Sequence, residues 1–264
     1  MLNETFYIDG VDARNFGIYL QKPIEFSEAR PVVEIQSIPG RNGDLVFETG
    51  SYENRTGIAS CFCLQKDVEK AISAAGRFLM AKHGYRRLET SDDPDHFWLA
   101  RIENSPAIAQ RMRTLAPFEI SFDCKPQRFL KSGEEKIVIP FNGGNYLHID
   151  LFNNFGFPSK PLFHIRFGEK EIQAVGINVL HEVQQNGVVP SKRITAIGIT
   201  DKDLYIDCDI HDAYSETGNQ NKHIWAYDFP SFEPGQNQIN VDLDLGGVVG
   251  TGEYVEITPR WWEL

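Results

Sequence analysis

The sequence carries two runs of closely spaced carboxylates. Asp207, Asp209 and Asp212 form one, and Asp242 and Asp244 form the other. Carboxyls at positions i and i+2 of a strand share one face. Glycoside hydrolysis needs two such groups flanking the scissile bond. The competing reading is that alternate acidic residues make the solvated face of a half-buried strand. Val241, Leu243 and Leu245, interleaved with the second pair, favour it. The first run also offers the oxygen ligands that calcium prefers. However, Asp207-x-Asp209-x-x-Asp212 lacks both the EF-hand glycine and the distal glutamate.

Other reactive residues lack companions. Cys61 and Cys63 are two apart, so in a strand they point the same way and a bridge between them would be strained. A Cys-x-Cys pair is half of a metal site, but His83 and His96 stand alone and nothing nearby completes it. With Cys124 and Cys208, these residues read as reduced core thiols of a chain folded in a cytosol. The seven histidines are scattered. None lies in H-E-x-x-H or beside a G-x-S-x-G elbow, and there is no P-loop and no G-x-G-x-x-G. Nucleophilic, metal-dependent and nucleotide-dependent chemistry have no anchor. The expectation is a chain with no enzymatic activity, no cofactor and no metal.

Binding chemistry has more to draw on. Trp225, Tyr227, Tyr254, Trp261 and Trp262 could stack on the flat faces of sugars, although aromatics more often fill cores or interfaces. Arg41, Arg86 and Arg87 are the most prominent basic positions of the first half. They read either as solvated charge or as ion pairs across a subunit interface, where arginine is favoured.

The elements that must position these residues are mostly strands. Phe6 and Ile8 lead into a turn at Asp9-Gly10, and Phe16, Ile18 and Leu20 resume the alternation, which predicts a hairpin. Residues 31–38 have strand character. They run into Pro39-Gly40-Arg41-Asn42-Gly43-Asp44, dense in turn formers, and Leu45-Val46-Phe47 continues as a strand. Residues 56–64 alternate, with Ala59, Cys61 and Cys63 on one face. One helix is predicted over 67–83, where Val68, Ala71, Ile72, Ala75 and Leu79 form a single apolar stripe. Asp67 caps its start, Lys82 and His83 sit in its last turn, and Gly84 takes the left-handed position after it. Strands follow over 85–89, 97–102 and 118–124. Residues 125–136 then break the pattern with proline, glycine and clustered charge, marking a linker and a domain boundary near residue 130. Beyond it, short strand-like runs recur with no convincing helix, as in a β-sandwich or barrel.

The bulk properties agree with a folded, β-rich chain. Its 264 residues suffice for one large or two ordinary domains. Aromatics make up 12%, with 18 Phe, which favours strands. The net charge of −11 argues against nucleic acid as a direct partner. It is uneven: 16 basic and 18 acidic residues up to Leu130 give −2, and 10 and 19 thereafter give −9. No apolar run approaches the ~20 residues of a membrane span. The start, Met1-Leu2-Asn3-Glu4, is too polar for a secretory signal.

Four segments together resemble the distal tail proteins of long-tailed phages and prophages of Gram-positive bacteria. The first is Phe6-Tyr7-Ile8-Asp9-Gly10 with Phe16-Gly17-Ile18. The second is Ile38-Pro39-Gly40-Arg41-Asn42-Gly43-Asp44-Leu45 followed by Tyr52-Glu53-Asn54. The third joins Leu204-Tyr205-Ile206-Asp207-Cys208 to the run from Asp228 to Asn237. The fourth is Ile257-Thr258-Pro259-Arg260-Trp261-Trp262-Glu263-Leu264. Their order and spacing extend over nearly the whole chain.

The resemblance implies a mainly β fold with an N-terminal β-barrel-like domain carrying one α-helix (1–130) and a C-terminal galectin-like β-sandwich (131–264). It implies a homo-hexameric ring at the tail tip of the virion, assembled in the host cytoplasm. That ring joins the major tail tube protein to the tail-associated, or tail-tip, protein, and in many phages it anchors receptor-binding proteins. Ring contacts would fall to the near-neutral first domain, with Arg41, Arg86 and Arg87 as candidate interface residues. The acidic second domain would face outward. The resemblance carries no catalytic residue. The alternatives left open are a carbohydrate-binding module for host wall glycans and a glycoside hydrolase.

Overall fold

The computed structural model describes residues 4–64, 68–103, 115–167, 172–181, 191–244 and 253–264. The protein is mainly β. It divides into two compact units, Met1–Phe129 with Leu264, and Leu130–Glu263.

The strands of the N-terminal unit are β1 (Phe6–Ile8), β2 (Val11–Asp12), β3 (Ile18–Leu20), β4 (Glu25–Phe26), β5 (Pro31–Gln36), β6 (Leu45–Tyr52), β7 (Arg55–Leu64), β8 (Arg86–Thr90), β9 (His96–Ile102) and β10 (Leu115–Leu130). Its helix is α1 (Val68–Met80). A half-barrel sheet runs in the order β2-β1-β8-β9-β10-β7-β3, with β4 also on β7. At Asp9-Gly10 both residues are left-handed, with φ of 52° and 77°. That is the conformation a two-residue hairpin turn needs. The returning arm is shorter than the alternation suggests. It holds only Val11 and Asp12, paired with Ile8 and Tyr7. Ile18–Leu20 instead crosses to β7, where Ile18 pairs with Cys63.

Alternation places Ala59, Cys61 and Cys63 of β7 and Phe118, Ile120, Phe122 and Cys124 of β10 in one core with Phe6, Ile8 and Leu88. Helix α1 adds Ala75, Phe78 and Leu79 to that core, and Phe78 stacks on Phe16 at 4.2 Å. Each Phe, Ile or Leu in this core stabilises the unit by about 1.5–3 kcal/mol on full burial. The predicted cap Asp67 lies outside the described residues. The helix stops at Met80, so Lys82 and His83 lie beyond its last turn. The reason is a substitute cap: the Arg86 guanidinium donates to the Phe78 and Leu79 carbonyls at 3.2 and 3.3 Å, filling acceptors that a helix end leaves open.

Residues 125–130 are not a linker. β10 continues through them to Leu130. Phe129 stacks on Phe97 at 5.3 Å, and Arg128 is held by Asp93 at 2.6 Å. A short 3-10 turn, Lys131–Glu134, follows.

The C-terminal unit is a β-sandwich with strands β11 (Ile137–Pro140), β12 (Tyr146–Asn153), β13 (Leu162–Arg166), β14 (Ile172–His181), β15 (Ser191–Ile199), β16 (Asp203–Asp207), β17 (Asp212–Ser215), β18 (Gly218–Asn219), β19 (Ile224–Ala226), β20 (Gly235–Asp244) and β21 (Tyr254–Thr258). One sheet runs β11-β21-β13-β16-β17-β18, and the other β12-β20-β14-β15-β19. The inner residues Phe163, Ile165, Leu204, Ile206, Val255 and Ile257 face Ile177, Ile194, Ile239 and Val241 in a single core. β14 runs unbroken through Gly176. Gly133 has no room for a side chain: a Cβ there would stand 2.3 Å from the Trp261 backbone nitrogen.

Candidate functional site

Each acidic cluster can be followed to its local role. Asp207 is buried and holds Arg260 through two hydrogen bonds of 2.6 and 2.8 Å. Its Oδ1 also accepts the Asp209 backbone N–H at 3.0 Å. Asp212 Oδ1 accepts the amide of Asn219 at 2.7 Å and the Ala213 backbone N–H at 3.1 Å. Asp209 is exposed, as are Asp242 and Asp244 on the outer face of β20. Two acids in the first run therefore organise turns, and the second pair alternates with buried Val241 and Leu243. No group of three or more His, Cys, Asp or Glu side chains converges on a metal-sized space among the described residues.

The cysteines are free and buried. Burial pushes the Cys61 and Cys124 thiols up to about 12 and raises Cys63 and Cys208 as well, the opposite of what a nucleophile or metal ligand requires. The buried His164 lies between two carboxylates, 2.7 Å from Asp203 and 3.6 Å from Glu256, and stacks on Tyr205 at 4.2 Å.

The three arginines singled out in the sequence have different surroundings. Arg86 is largely enclosed. Besides capping α1, it donates to Asp9 at 3.0 Å. Burial is the largest influence on the Asp9 carboxyl and raises it. Hydrogen bonds from Arg86, the Arg87 backbone and Lys82 together outweigh burial and hold it below its ordinary range. Arg87 bonds Glu89 at 2.7 Å, and its guanidinium lies 3.9 Å over the Phe97 ring. Both are engaged within the N-terminal unit. Arg41 is exposed on the connection between β5 and β6, and its backbone N–H donates to the Ile38 carbonyl at 3.1 Å.

That connection belongs to an arm whose side chains are mostly exposed. β5 and β6 pair only with each other, as a two-stranded sheet. Ile35 faces Val46, with Val33 and Glu48 beside them, while Phe47 faces Glu34 on the opposite side. Ile35 is 65% exposed, Val46 57% and Phe47 51%. Gly40 and Gly43, with φ of 83° and 81°, shape the tip. A two-stranded ribbon is marginal by itself in water, and unpaired apolar edges invite another chain. The chemistry this arm supports is association.

The sequence reading found both strands and the turn but missed that the pair stands off the core. A signal was present. Consecutive Val46 and Phe47 put an apolar side chain on each face, whereas a strand lying on a core needs only one apolar face.

No family model and no curated protein matches the sequence. Solved structures do match the fold. The Dit protein of phage SPP1, described as a paradigm of the hub adsorption apparatus in phages infecting Gram-positive bacteria, aligns over 98% of this chain and 99% of its own. The TM-score is 0.68 at 13% identity. A chain of the phage P2 baseplate, in its activated conformation with calcium, aligns over 96% of this chain and 97% of its own, with a TM-score of 0.53 at 10% identity. The chain thus shares the fold of the SPP1 Dit protein over nearly its whole length.

Proposed function

We propose that this protein is the hub subunit of a siphophage tail tip, a structural protein without catalytic activity. Six copies close into a ring through their N-terminal units. The ring joins the tail tube to the tail-tip protein, and the acidic sandwich serves as an outward adaptor for receptor-binding proteins. Assembly takes place in the host cytoplasm and the product is part of the virion.

The observation that carries this reading is the end-to-end match to a hub protein, which takes in both units. A sandwich alone would say little, because that fold hosts many functions. The β5–β6 arm supports it. A ring needs a heterologous contact, in which one patch of a subunit meets a different patch of the next. An arm with two apolar faces is such a patch, and its natural occupant is a second copy of the same chain. Arg41 lies on this arm. Arg86 and Arg87 act one step removed, by fixing the helix and sheet of the same unit.

The test is the solution mass of the full chain by light scattering over a range of concentrations. The expected mass is six times that of the chain, falling to that of the monomer in the double variant Ile35→Asp/Phe47→Asp. A double variant that keeps the wild-type mass would remove the arm from the interface.

A further inference from the structure

The outer face of the second sandwich sheet bears side chains that neither the core nor the proposed ring uses. Strand pairing sets Tyr146, Asp242, Gly176, Thr195 and Trp225 side by side across β12, β20, β14, β15 and β19. The adjacent row is His148, Asn240, Asn178 and Arg193. Directly paired residues share a face. The alternate residues Ile149, Val241, Ile177 and Ile194 are buried on the other side.

The middle of this face is low and polar. Gly176 contributes no side chain, and the Arg193 guanidinium lies across it, 3.2 Å from where a Cβ would stand. The Asn178 Oδ1 is enclosed and accepts no hydrogen bond. Asn240 Oδ1 accepts from the Tyr146 hydroxyl at 2.7 Å, and His148 Nδ1 lies 2.7 Å from the same oxygen. At the ends, Tyr146 is 51% exposed and Trp225 70%.

We propose that this face binds a neutral oligosaccharide laid across the strands between Tyr146 and Trp225. Sugar hydroxyls donate and accept in close succession, and Asn240, Thr195 and Arg193 offer both kinds of partner in adjacent positions. The exposed ring of Trp225 provides an apolar body for the hydrophobic side of a pyranose. Four strand spacings of about 4.8 Å set the two aromatic ends roughly 19 Å apart, which suits an oligosaccharide better than a single sugar. Asp150, Asp242 and Asp244 share the face and repel phosphate polymers. A protein partner would need an apolar anchor at the centre, and the centre here is polar.

The site lies within one unit and does not depend on ring formation. The experiment is calorimetric titration of the full-length protein with a panel of tri- to hexasaccharides of glucose, galactose, rhamnose and N-acetylglucosamine, with poly(glycerol phosphate) alongside. Saturable binding of a neutral oligosaccharide is expected, weakened about tenfold or more by Trp225→Ala and by Arg193→Ala, two exposed positions. Three outcomes overturn the proposal: no saturable binding to any oligosaccharide, binding of the phosphate polymer alone, or oligosaccharide binding that both variants leave intact. Ring formation is scored separately by light scattering, and its failure bears on the hub reading and not on this face.

Discussion

Arg260 grips Asp207 through both terminal guanidinium nitrogens, at 2.6 and 2.8 Å, tying the segment after β21 to the end of β16. Arg260 does so from a left-handed backbone, φ 58°. Replacing Asp207 by Asn removes a charge-assisted pair and should cost the sandwich about 1.5–3 kcal/mol. Asp209→Asn, two residues on and exposed, should stay within about 0.5 kcal/mol of wild type. Chemical denaturation of the two variants separates them, and equal losses would contradict the assignment.

The same pair makes a pH prediction. Burial is the largest single influence on the Asp207 carboxyl and raises it. The Arg260 hydrogen bonds and charge, with the backbone N–H groups of Asp209 and Ile210, together hold it below its ordinary 3.8. A depressed carboxylate contributes stability that is full above the unfolded value and is lost as pH falls through the lower folded value. Wild type should therefore lose stability more steeply than Asp207→Asn as pH falls below 3.8. Denaturation midpoints at a series of acidic pH values provide the check.

Gly133 and Trp261 make a steric prediction. A methyl group at Gly133 would meet the Trp261 backbone nitrogen at 2.3 Å, and backbone cannot swing aside as a side chain can. Gly133→Ala should destabilise the C-terminal unit by about 1–3 kcal/mol, the usual cost of overpacking. A melting temperature unchanged from wild type would show that the turn at Lys131–Glu134 is looser than described.

Much of this architecture was legible in the sequence. Alternation at Phe118, Ile120, Phe122 and Cys124 fixes a strand and its buried face, and Ala75 and Leu79 mark the helix stripe. Its end was misplaced because the residue that closes it, Arg86, sits on a strand and acts through tertiary contact. Residues 125–130 misled for a related reason: Arg128 and Phe129 look like a charged, irregular stretch until Asp93 and Phe97 are placed beside them. The outer row from Tyr146 to Trp225 was invisible, because its members come from five separate strands. Of the row, only Asp242 and Trp225 had been singled out, Asp242 as one of two paired carboxylates and Trp225 beside Trp261 and Trp262. Trp261 belongs to the core, and Trp262 stacks on Phe157 at 4.6 Å.

The thiols offer a simple probe of the native packing. With Cys61, Cys63, Cys124 and Cys208 all buried, and Cys61 and Cys124 pushed up to about 12, iodoacetamide at neutral pH should label none of them in the folded protein. All four should react after unfolding, read by intact mass. Rapid labelling of a native cysteine would contradict the cores described above.

Arg86 and Arg41 should respond oppositely. Arg86→Gln removes the helix cap and the Asp9 contact, lowering the stability of the N-terminal unit by about 1–2 kcal/mol. Arg41→Glu should leave stability within about 0.5 kcal/mol of wild type, because its side chain is exposed. Any effect of Arg41→Glu belongs to association alone. Thermal melts paired with light scattering resolve the two.

The most direct measurement of the hub account is negative-stain electron microscopy of the purified full chain beside Ile35→Asp/Phe47→Asp. The account predicts closed six-fold rings for wild type and dispersed, folded particles for the variant. Monomers alone for wild type at high concentration, or rings that survive loss of both apolar faces of the arm, would contradict it.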